Sequence, residues 1–518
     1  LDYSRDTLAQ ASECFRVKIM LVGKENVGKT SLLKCLQGKK KKERNLSTDG
    51  IDICQIDVSS TADNRNIRLN VWDFAGQEIY YTTHQIFLSE RAVYVLVWDV
   101  RKSFAECRLE FWLNTIRVRV GDNAIVMLVA THLDDSICTD DYVNSKLILL
   151  SKTYGPRFAS VKAYMALSTL TDEGMPEFRE KLLQLAMQVD GMGQTVPTAY
   201  LALEDMMTKR LRSLTSDEHA PVVSFRKWQR LALDISLTDV NVLKRATEFL
   251  HNVGSLIYFG NDEKLVDLVI VDPQWLTNCM ATIITTKHQA VVNGILSANF
   301  LPQLWLPPQY PVPIHPQLIQ LMMQFEVMHP LGDDLSVAQF NVTTPPQYAN
   351  YLVVSLLPEE RPEKVERLFP SVSLKDAANA FSRIYTFTFL PPGLFSRMLL
   401  RCSAFATLDV YWRHGMLCTG DNNNRMLVEC LNNRIRVRVR GEGSAALLRQ
   451  ATEILDSLTA NWYKMEHTIE IECVHCLMSG SNDEPYLFLL DDCERAAAAG
   501  EGHILCGGSF PVRLDRLV

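Results

Sequence analysis

The segment most informative about the fold is Val17–Leu36, with the sequence VKIMLVGKENVGKTSLLKCL. It opens with a mostly apolar, β-branched run of the kind that forms a buried strand. A turn of the form G-x-x-x-x-G-K-T follows and leads into SLLKCL, whose apolar spacing suits a helix. A strand, this turn and a helix in that order predict a P-loop, and therefore a nucleoside triphosphate as ligand.

The turn carries the predicted phosphate contacts. Gly23 and Gly28 let backbone N–H groups close around phosphate oxygens, and the helix N-terminus adds a favourable dipole. Lys29 is placed to reach the β- and γ-phosphates, and the Thr30 hydroxyl is placed to bind Mg²⁺. The predicted nucleotide-binding residues of this turn are Gly23, Lys24, Glu25, Asn26, Val27, Gly28, Lys29, Thr30 and Ser31.

Composition narrows the class of protein. The chain has 518 residues, of which 47% are hydrophobic, and a net charge of −7. Its length suits about two to four domains. The mild acidity argues against a protein that binds nucleic acid by neutralising phosphates. The thirteen scattered cysteines suit a reducing, cytoplasmic location better than a disulfide framework.

Membrane association is expected to be peripheral at most, because no apolar run approaches the length of a membrane span. The basic run Lys39–Arg44 could touch a membrane or an acidic partner, although a solvated loop is the preferred interpretation. The sequence starts at Leu1 without a signal peptide, and this abrupt start suggests a piece of a longer protein.

Two further segments provide candidate ligands for Mg²⁺ and the γ-phosphate. Thr48 precedes an alternating strand predicted at Ile51–Val58, in a loop that would order around the γ-phosphate. Asp73 follows the next predicted strand, where its carboxylate can hold Mg²⁺ through water. Gly76 can then offer its N–H to the γ-phosphate, and Gln77 can orient the attacking water. The predicted metal ligands are Thr30, Thr48 and Asp73.

The motif Thr131-His-Leu-Asp134 follows a strand predicted at Ala124–Ala130. An aspartate at that strand end can accept hydrogen bonds from the N1–H and the amino group of guanine, which adenine cannot supply. Ser168 and Thr169 follow the last predicted strand and are candidates for a loop over the base. The predicted base-side residues are Thr131, His132, Asp134, Ser168 and Thr169.

Five predicted strands alternate with helices in this region, which favours an α/β fold with a doubly wound parallel sheet. The strand at Ile51–Val58 adds one antiparallel member. Amphipathic helices are predicted at Phe104–Val118 and Pro176–Gln188.

Taken together, the P-loop, Thr48, DFAGQE and THLD resemble a Ras-like small GTPase. The runs Trp72–Gly76 and Tyr81–Phe87 resemble more specifically the Roc domain of Roco proteins, most of all the leucine-rich-repeat kinase type. The resemblance implies a GTP-binding switch that hydrolyses GTP to GDP with Mg²⁺. His132 stands where most small GTPases carry lysine.

The second half of the chain opens with predicted helices at Leu201–Leu214, Phe225–Leu233 and Val240–Asn252, the last capped by Gly254. A hairpin is predicted from Ser255–Phe259 and Leu265–Val271. Helices followed by a hairpin resemble a winged helix. The acidic hairpin loop favours contact with protein over contact with nucleic acid.

Three motifs of the second half resemble the COR domain that follows Roc in Roco proteins: Asp272–Leu276, Phe389–Ser396 and Tyr411–Gly415. The predicted division is an N-terminal linker (1–13), a Roc domain (14–192), a winged-helix-like part of COR (193–330) and a mixed α/β part of COR (331–518). The resemblance implies that COR forms a homodimer and that leucine-rich repeats or a kinase flank the pair in the parent protein. It also implies that Arg119 packs against COR.

Two other functions stay open at this point. One is a scaffold that holds nucleotide without hydrolysing it, and the other is a P-loop ATPase of the signalling type. Gln77 argues against the scaffold and Asp134 against the ATPase. The predicted catalytic residues are Gln77 and Arg44, because Arg44 is the one arginine that the sequence places near the γ-phosphate.

Four cysteines near the C-terminus form a candidate zinc site. Cys473 and Cys476 have C-x-x-C spacing, and Cys493 and Cys506 lie downstream at irregular spacing, where His503 competes as a ligand. The alternative interpretation, that these are buried thiols without metal, is preferred.

Overall fold

The computed structural model divides the chain into two compact units, and the first contains the predicted P-loop. Between residues 11 and 331 it describes 11–39, 48, 50–59, 65–214, 220–260, 265–285 and 290–331. In the rest of the chain it describes 350–370, 379–403, 405–460, 465–478, 485–507, 510–514 and 517. Of these residues, those up to 285 and 298–327 belong to the first unit, whereas 290–297, 328–331 and those from 350 onward belong to the second.

The first domain is a six-stranded sheet with helices packed on it. A short strand, β1 (Ala11–Glu13), precedes this sheet and lies outside it. The six strands of the sheet are β2 (Arg16–Val22), β3 (Ile51–Ser59), β4 (Asn66–Phe74), β5 (Ala92–Asp99), β6 (Ile125–Thr131) and β7 (Val161–Ala166). Its helices are α1 (Lys29–Leu36), α2 (Tyr81–His84), α3 (Leu109–Val120), α4 (Asp140–Tyr154) and α5 (Met175–Ala186).

The strand order is β3-β4-β2-β5-β6-β7. Strand β3 is antiparallel to β4, and the other neighbours in the sheet are parallel. This order confirms the predicted doubly wound sheet with one antiparallel strand. The carboxyl ends of β2 and β5 lie side by side beneath the turn that follows β2, which is where such sheets bind ligands.

Strand β2 is buried on both faces, but the two faces differ in chemistry. Val17, Ile19 and Leu21 belong to the same apolar core as residues of α1 and α5. Arg16 and Lys18 alternate with them, so they point to the opposite face. Lys18 is only 4% exposed.

Helix α3 begins at Leu109, five residues after the predicted start at Phe104. Arg108, just before it, has a left-handed backbone (φ +53°). Ser103 and Glu106 hydrogen bond to each other's backbone N–H in the turn upstream. These local hydrogen bonds compete with helix formation, so the helix begins later than the amphipathic pattern predicts.

The next part of the first unit is mostly helical. It contains β8 (Thr195–Pro197), α6 (Thr198–Leu214), β9 (Val222–Ser224), α7 (Phe225–Ala232), α8 (Val240–Asn252), β10 (Ile257–Tyr258), β11 (Leu268–Ile270), α9 (Pro273–Ile283), α10 (Leu301–Leu304) and α11 (His315–Gln324). The predicted hairpin forms from β10 and β11, and β9 joins it. Helix α8 has the predicted bounds, and Gly254 follows its C-cap with φ +80°. Ala11–Glu13, which the sequence assigns to a linker, pairs with β8.

The second unit contains two larger sheets and a two-stranded ribbon. The first sheet has the order β12-β13-β15-β14, from β12 (Val291–Val292), β13 (Ile295–Ser297), β14 (His329–Leu331) and β15 (Asn350–Leu352). The larger sheet comprises β16 (Ala380–Phe387), β17 (Thr407–Trp412), β18 (Gly415–Thr419), β19 (Arg425–Leu431), β20 (Arg434–Arg440), β21 (His467–Glu472) and β22 (Leu487–Leu489). The ribbon pairs β23 (His503–Leu505) with β24 (Pro511–Arg513).

The helices of this unit are α12 (Lys364–Leu368), α13 (Leu394–Cys402), α14 (Ser444–Ala460), α15 (Val474–Met478) and α16 (Leu490–Ala498). Strand β20 alternates apolar and basic residues, and its apolar members Ile435, Val437 and Val439 are fully buried. On the other face, Arg438 donates to Glu472 at 2.8 and 2.6 Å. Within the described ranges, no helix combines the length and apolar character that a membrane crossing requires.

Candidate nucleotide site and its contact with the following domain

The predicted phosphate turn joins β2 to α1 and is fixed from below by the end of β6. Gly23 and Gly28 have φ values of +141° and +93°, which side chains disfavour. The Thr131 hydroxyl donates to the Val27 carbonyl at 2.7 Å and to the Trp98 carbonyl at 3.1 Å. Thr131 is therefore a positioning residue for the turn as well as part of the THLD motif.

Lys29 is buried beneath this turn. Its ammonium donates to the carbonyls of Gly23 (2.8 Å) and Lys24 (2.6 Å). Burial lowers the pKa of Lys29 to about 8, although the carboxylates of Asp73 and Glu25 favour the charged form and act to raise it. Because these two bonds go to neutral carbonyls, the positive charge of Lys29 is available to an anion.

The three predicted metal ligands lie together. Asp73 Oδ2 accepts from Thr30 Oγ1 at 2.5 Å and from Thr48 Oγ1 at 3.4 Å, and the two hydroxyls are 2.8 Å apart. Asp73 is fully buried, and its Oδ1 has no hydrogen-bond partner among the described residues. Burial raises the pKa of Asp73 to about 6, although the hydrogen bond from Thr30 and the charge of Lys29 act to lower it. One carboxylate with a spare oxygen and two hydroxyls form a set of hard oxygen ligands that fits Mg²⁺.

Gly76 approaches the phosphate turn closely. A Cβ on Gly76 would lie 2.1 Å from the backbone nitrogen of Glu25, so only glycine fits. The Tyr81 hydroxyl donates to the Gly76 carbonyl at 2.9 Å. Gln77 follows, half-buried, at the start of a 3₁₀ turn. Arg44 lies outside the described residues.

The base-side residues join two loops. Asp134 is exposed and accepts a hydrogen bond from Ser168 Oγ. Ser168 Oγ in turn accepts from the backbone N–H groups of Leu170 (3.0 Å) and Thr171 (3.2 Å). The Thr169 carbonyl accepts from the Cys35 thiol at 3.4 Å, which ties this loop to α1. The carboxylate and the loop after β7 are thus held side by side.

Sequence reasoning missed Asp99, which ends β5 next to this region. It accepts from Arg101 at 2.8 and 2.9 Å, and His132 Nδ1 lies 3.8 Å away. Burial disfavours the charged form, but Arg101 and His132 hold the pKa of Asp99 below its usual value. An acidic residue at the end of the apolar run Ala92–Trp98 was the available signal.

Three sequence-family models match consecutive parts of the chain. The model described as "Ras of Complex, Roc, domain of DAPkinase" matches residues 18–134. Those described as "C-terminal of Roc, COR-A domain" and "C-terminal of Roc, COR-B domain" match residues 197–357 and 378–518. The chain belongs to the Roco family. It therefore holds a Roc domain of the Ras-like GTPase family followed by the two COR domains.

Known proteins agree with this assignment. The probable serine/threonine-protein kinase pats1 of Dictyostelium discoideum is 37% identical over 100% of this chain and 16% of its own length. Leucine-rich repeat serine/threonine-protein kinase 1 of Mus musculus is 25% identical over 83% of this chain and 22% of its own. This Roco chain thus spans less than a quarter of either relative. The solved Methanosarcina barkeri Roco2 RocCORdC bound to GDP has a TM-score of 0.51 and 25% identity, covering 69% of this chain and 100% of that one.

The Roc domain contacts COR-A through the edge of its sheet. The side-chain amide of Gln274, in α9, accepts from the Ile53 N–H at 2.6 Å and donates to the Ile51 carbonyl at 2.8 Å. Thr277 Oγ1 also donates to the Ile51 carbonyl, at 3.2 Å. Because β3 is an edge strand, Gln274 supplies the pair of bonds that a neighbouring strand would have made. Gln274 lies within the motif Asp272–Leu276, but nothing in that motif indicates this contact.

A second contact lies on the polar face of β2 and β4. Glu204 of α6 is fully buried, and its carboxylate lies 2.5 Å from Arg16 and 3.4 Å from Arg68. Ser255 Oγ donates to it at 2.5 Å. Asn70 donates to the Val253 carbonyl at 2.5 Å. The polar positions that alternate with the apolar core of these strands are therefore the ones that meet COR-A.

Lys18 lies at the same contact. Its ammonium donates to the Phe87 carbonyl at 2.8 Å and sits 3.9 Å from the centre of the Trp72 ring. Burial lowers its pKa to about 7. A Cβ on Gly254 would lie 3.4 Å from the aliphatic part of Lys18, so COR-A closes over it.

Arg119, expected from the resemblance to pack against COR, donates from Nε to the Gln85 carbonyl at 3.2 Å. Gln85 starts the 3₁₀ turn Gln85–Phe87. Phe87 lines a small cavity shared by the two domains. The lining residues are Gly50, Ile51, Tyr80, Thr83, His84 and Phe87 of Roc with Thr277, Met280, Ala281 and Ile284 of COR-A. Arg119 thus supports the segment that packs on COR-A.

Three of the four cysteines predicted as zinc ligands come together. The sulfur atoms of Cys473, Cys476 and Cys506 lie within 4.8 Å of one another. Cys493 is buried in the same apolar cluster but is not part of this group. The four-cysteine site is therefore wrong as predicted, and Cys493 packs as an ordinary buried thiol.

Proposed function

We propose that the Roc domain binds GTP and GDP with Mg²⁺, hydrolyses GTP slowly and transmits its nucleotide state to COR-A. The observation that carries the proposal is the convergence of Thr30, Thr48 and Asp73, with one oxygen of Asp73 left without a partner among the described residues. Lys29 lies buried beside them, close enough for Asp73 to favour its charged form. If every polar atom of this cluster had a hydrogen-bond partner within the protein, the cluster would indicate a structural role instead.

Each residue would have one task. Lys29 would exchange its bonds to the Gly23 and Lys24 carbonyls for bonds to phosphate oxygens. Thr30, Thr48 and Asp73 would hold Mg²⁺, which neutralises charge on the β- and γ-phosphates. Gln77 would orient the attacking water. Arg44 remains the candidate for an arginine that reaches the γ-phosphate, which adds about 10³–10⁵ in rate where present.

Guanine would be selected by Asp134. Its carboxylate can accept from two guanine donors, and Ser168 holds it in place by a hydrogen bond. The N–H groups of Leu170 and Thr171 in turn orient Ser168. Adenine presents no matching pair of donors, so it would leave the carboxylate without partners.

Coupling to COR-A would follow the chain from Thr48. Gly50, two residues later, accepts a hydrogen bond from the Ala75 N–H at 2.8 Å, which links the segment of Thr48 to that of Asp73. Ile51 and Ile53 then bind Gln274. The first residue that bonds to COR-A, Ile51, therefore lies only three positions after Thr48, which would rearrange around the γ-phosphate.

Single-turnover hydrolysis by the purified chain tests the enzyme proposal. We expect GTP to be hydrolysed slowly and ATP not to be bound at comparable concentration. Gln77→Leu should lower the GTP rate at least about tenfold, with GTP affinity within a few-fold of wild type. Binding without turnover in the wild type would instead favour the nucleotide-holding scaffold, and equal use of ATP would favour the ATPase.

We also propose that the chain forms a homodimer through COR and that the parent protein carries a kinase outside this chain. The names of its relatives support the second point. Exposed apolar residues of COR-B support the first: Tyr486, Leu489, Leu505 and Phe510 are 43% to 61% exposed. Sedimentation of the chain with GDP and with a GTP analogue tests the dimer, and a monomer in both states contradicts it.

A further inference from the structure

We infer that Cys473, Cys476 and Cys506 bind one zinc ion in COR-B as a three-thiolate site. Their three sulfur atoms lie within 4.8 Å of one another. A tetrahedral zinc site with Zn–S bonds of about 2.3 Å needs sulfur atoms about 3.8 Å apart. The observed spread is therefore within side-chain adjustment of a zinc site, and none of the three forms a disulfide.

The three cysteines come from two separate segments that the backbone holds together. Cys473 follows β21, and its N–H donates to the Tyr486 carbonyl at 2.8 Å. Cys476 lies one turn later in α15, so its sulfur returns to the same side. Cys506 follows β23, and its N–H donates to the Phe510 carbonyl at 3.0 Å in the turn to β24. The site thus joins the end of β21, beside the edge strand β22 of the large sheet, to the two-stranded ribbon.

Two contacts fix the approach of these segments. Gly507 follows Cys506, and a Cβ on it would lie only 2.7 Å from the Tyr486 ring. The His475 ring, between the first two cysteines, stacks on Phe510 with ring centres 4.4 Å apart. The Cys506 turn therefore packs on the C-x-x-C segment through His475 and on Tyr486, the residue whose carbonyl binds the Cys473 N–H.

The local fold gives such a site a structural purpose. A two-stranded ribbon buries little apolar surface and is marginal alone in water. The ribbon β23–β24 rests on a small apolar cluster, of which Cys473, Cys493 and Cys506 are themselves members. A metal ion would add a cross-link where the core is thin. Cys473 and Cys506 are buried while Cys476 is half-buried, so a water ligand would complete the coordination from the side of Cys476.

Metal analysis of the full chain tests the inference. Protein purified without added metal or chelator should contain about one zinc per chain. Cys473→Ser, Cys476→Ser and Cys506→Ser should each reduce the zinc content at least about fivefold. Cys493→Ser is the matched control: it alters a buried thiol of the same apolar cluster and should leave the zinc in place.

A cobalt titration of the wild-type chain keeps the test independent of how the variants fold. After zinc removal, Co²⁺ should produce a thiolate-to-cobalt charge-transfer band that saturates at one equivalent. Zinc-free wild type that gives no such band would overturn the inference. So would a Cys473–Cys476 disulfide in freshly purified protein, or equal loss of zinc from Cys493→Ser. None of these outcomes affects the nucleotide proposal, which uses other residues.

Discussion

The nucleotide site and the contact between Roc and COR-A are both built on β2, β3 and β4, yet they use their carboxylates differently. At the nucleotide site, Asp73 keeps an oxygen without a partner among the described residues, and Lys29 is held by neutral carbonyls. At the domain contact, both oxygens of Glu204 and both ends of the Gln274 amide have protein partners. The nucleotide site thus keeps a carboxylate oxygen in reserve, whereas the carboxylate and the amide at the domain contact are satisfied within the chain.

The two regions also differ in how far their residues lie apart in the chain. The phosphate turn draws on the consecutive residues 23–31, whereas Gln274 bonds to residues more than 220 positions away. The ligand site depends on backbone shape, which neighbouring residues specify together. The domain contact depends on side chains that meet only after both domains have folded. Changes in the two regions should therefore have separable effects.

The largest expected effect is at the nucleotide site. Lys29→Ala should weaken GTP binding by about 3–6 kcal/mol, because it removes charged hydrogen bonds to two phosphate oxygens. Calorimetry with a GTP analogue and Mg²⁺ measures this. Lys39→Ala removes the same charge from an exposed position beyond α1 and should bind as wild type. Lys29→Ala that binds within a few-fold of wild type contradicts the P-loop assignment.

The corresponding change at the domain contact is Glu204→Ala. It leaves Arg16 without its partner in a buried place and should lower the free energy of unfolding by about 3–5 kcal/mol. Denaturant unfolding measures the loss, and GTP affinity of the folded protein should stay within about threefold of wild type. Glu204→Gln keeps the acceptor for Ser255 and should cost less. A loss of nucleotide affinity as large as the loss of stability would show that the two regions are not separable.

A smaller change is expected at the base. Asp134→Asn should shift preference from GTP toward xanthosine triphosphate by about 1–3 kcal/mol, since the amide places a donor opposite the guanine N1–H. Competition binding with both nucleotides measures the ratio. Ser168→Ala, which only removes the support of Asp134, should weaken GTP binding without altering that preference. An unchanged ratio in Asp134→Asn would place base recognition elsewhere.

The smallest effect concerns Lys18. Its folded pKa, about 7, lies below its ordinary value, so between these values the unfolded chain holds more protons and stability should rise with pH. The hydrogen bond to the Phe87 carbonyl and the contact with the Trp72 ring favour the charged form and oppose this rise. We therefore expect the free energy of unfolding to increase by about 1 kcal/mol or less between pH 7 and pH 8. Lys18→Met should remove that rise. Equal slopes of melting temperature against pH in both proteins would show that Lys18 stays charged.

Much of the fold could be predicted from the sequence because local patterns specify it. Alternation and apolar runs placed the strands of the Roc sheet, and Gly254 marked the end of α8 where the structure has it. The start of α3 could not be predicted from periodicity, since side-chain bonds at Ser103 and Glu106 delay the helix. Periodicity records which face is apolar, but it does not record competing local hydrogen bonds.

Local sequence patterns are enough to specify the strands of the Roc domain, the phosphate turn and the order of the motifs around it, because each depends on residues a few positions apart. Long-range packing is what brings Gln274 to the edge of β3, Glu204 to Arg16, and Cys506 rather than Cys493 to Cys473 and Cys476. Glutamine, glutamate and cysteine are ordinary residues at those positions. Their roles come from packing between segments far apart in the chain, and no local pattern encodes which of them will meet.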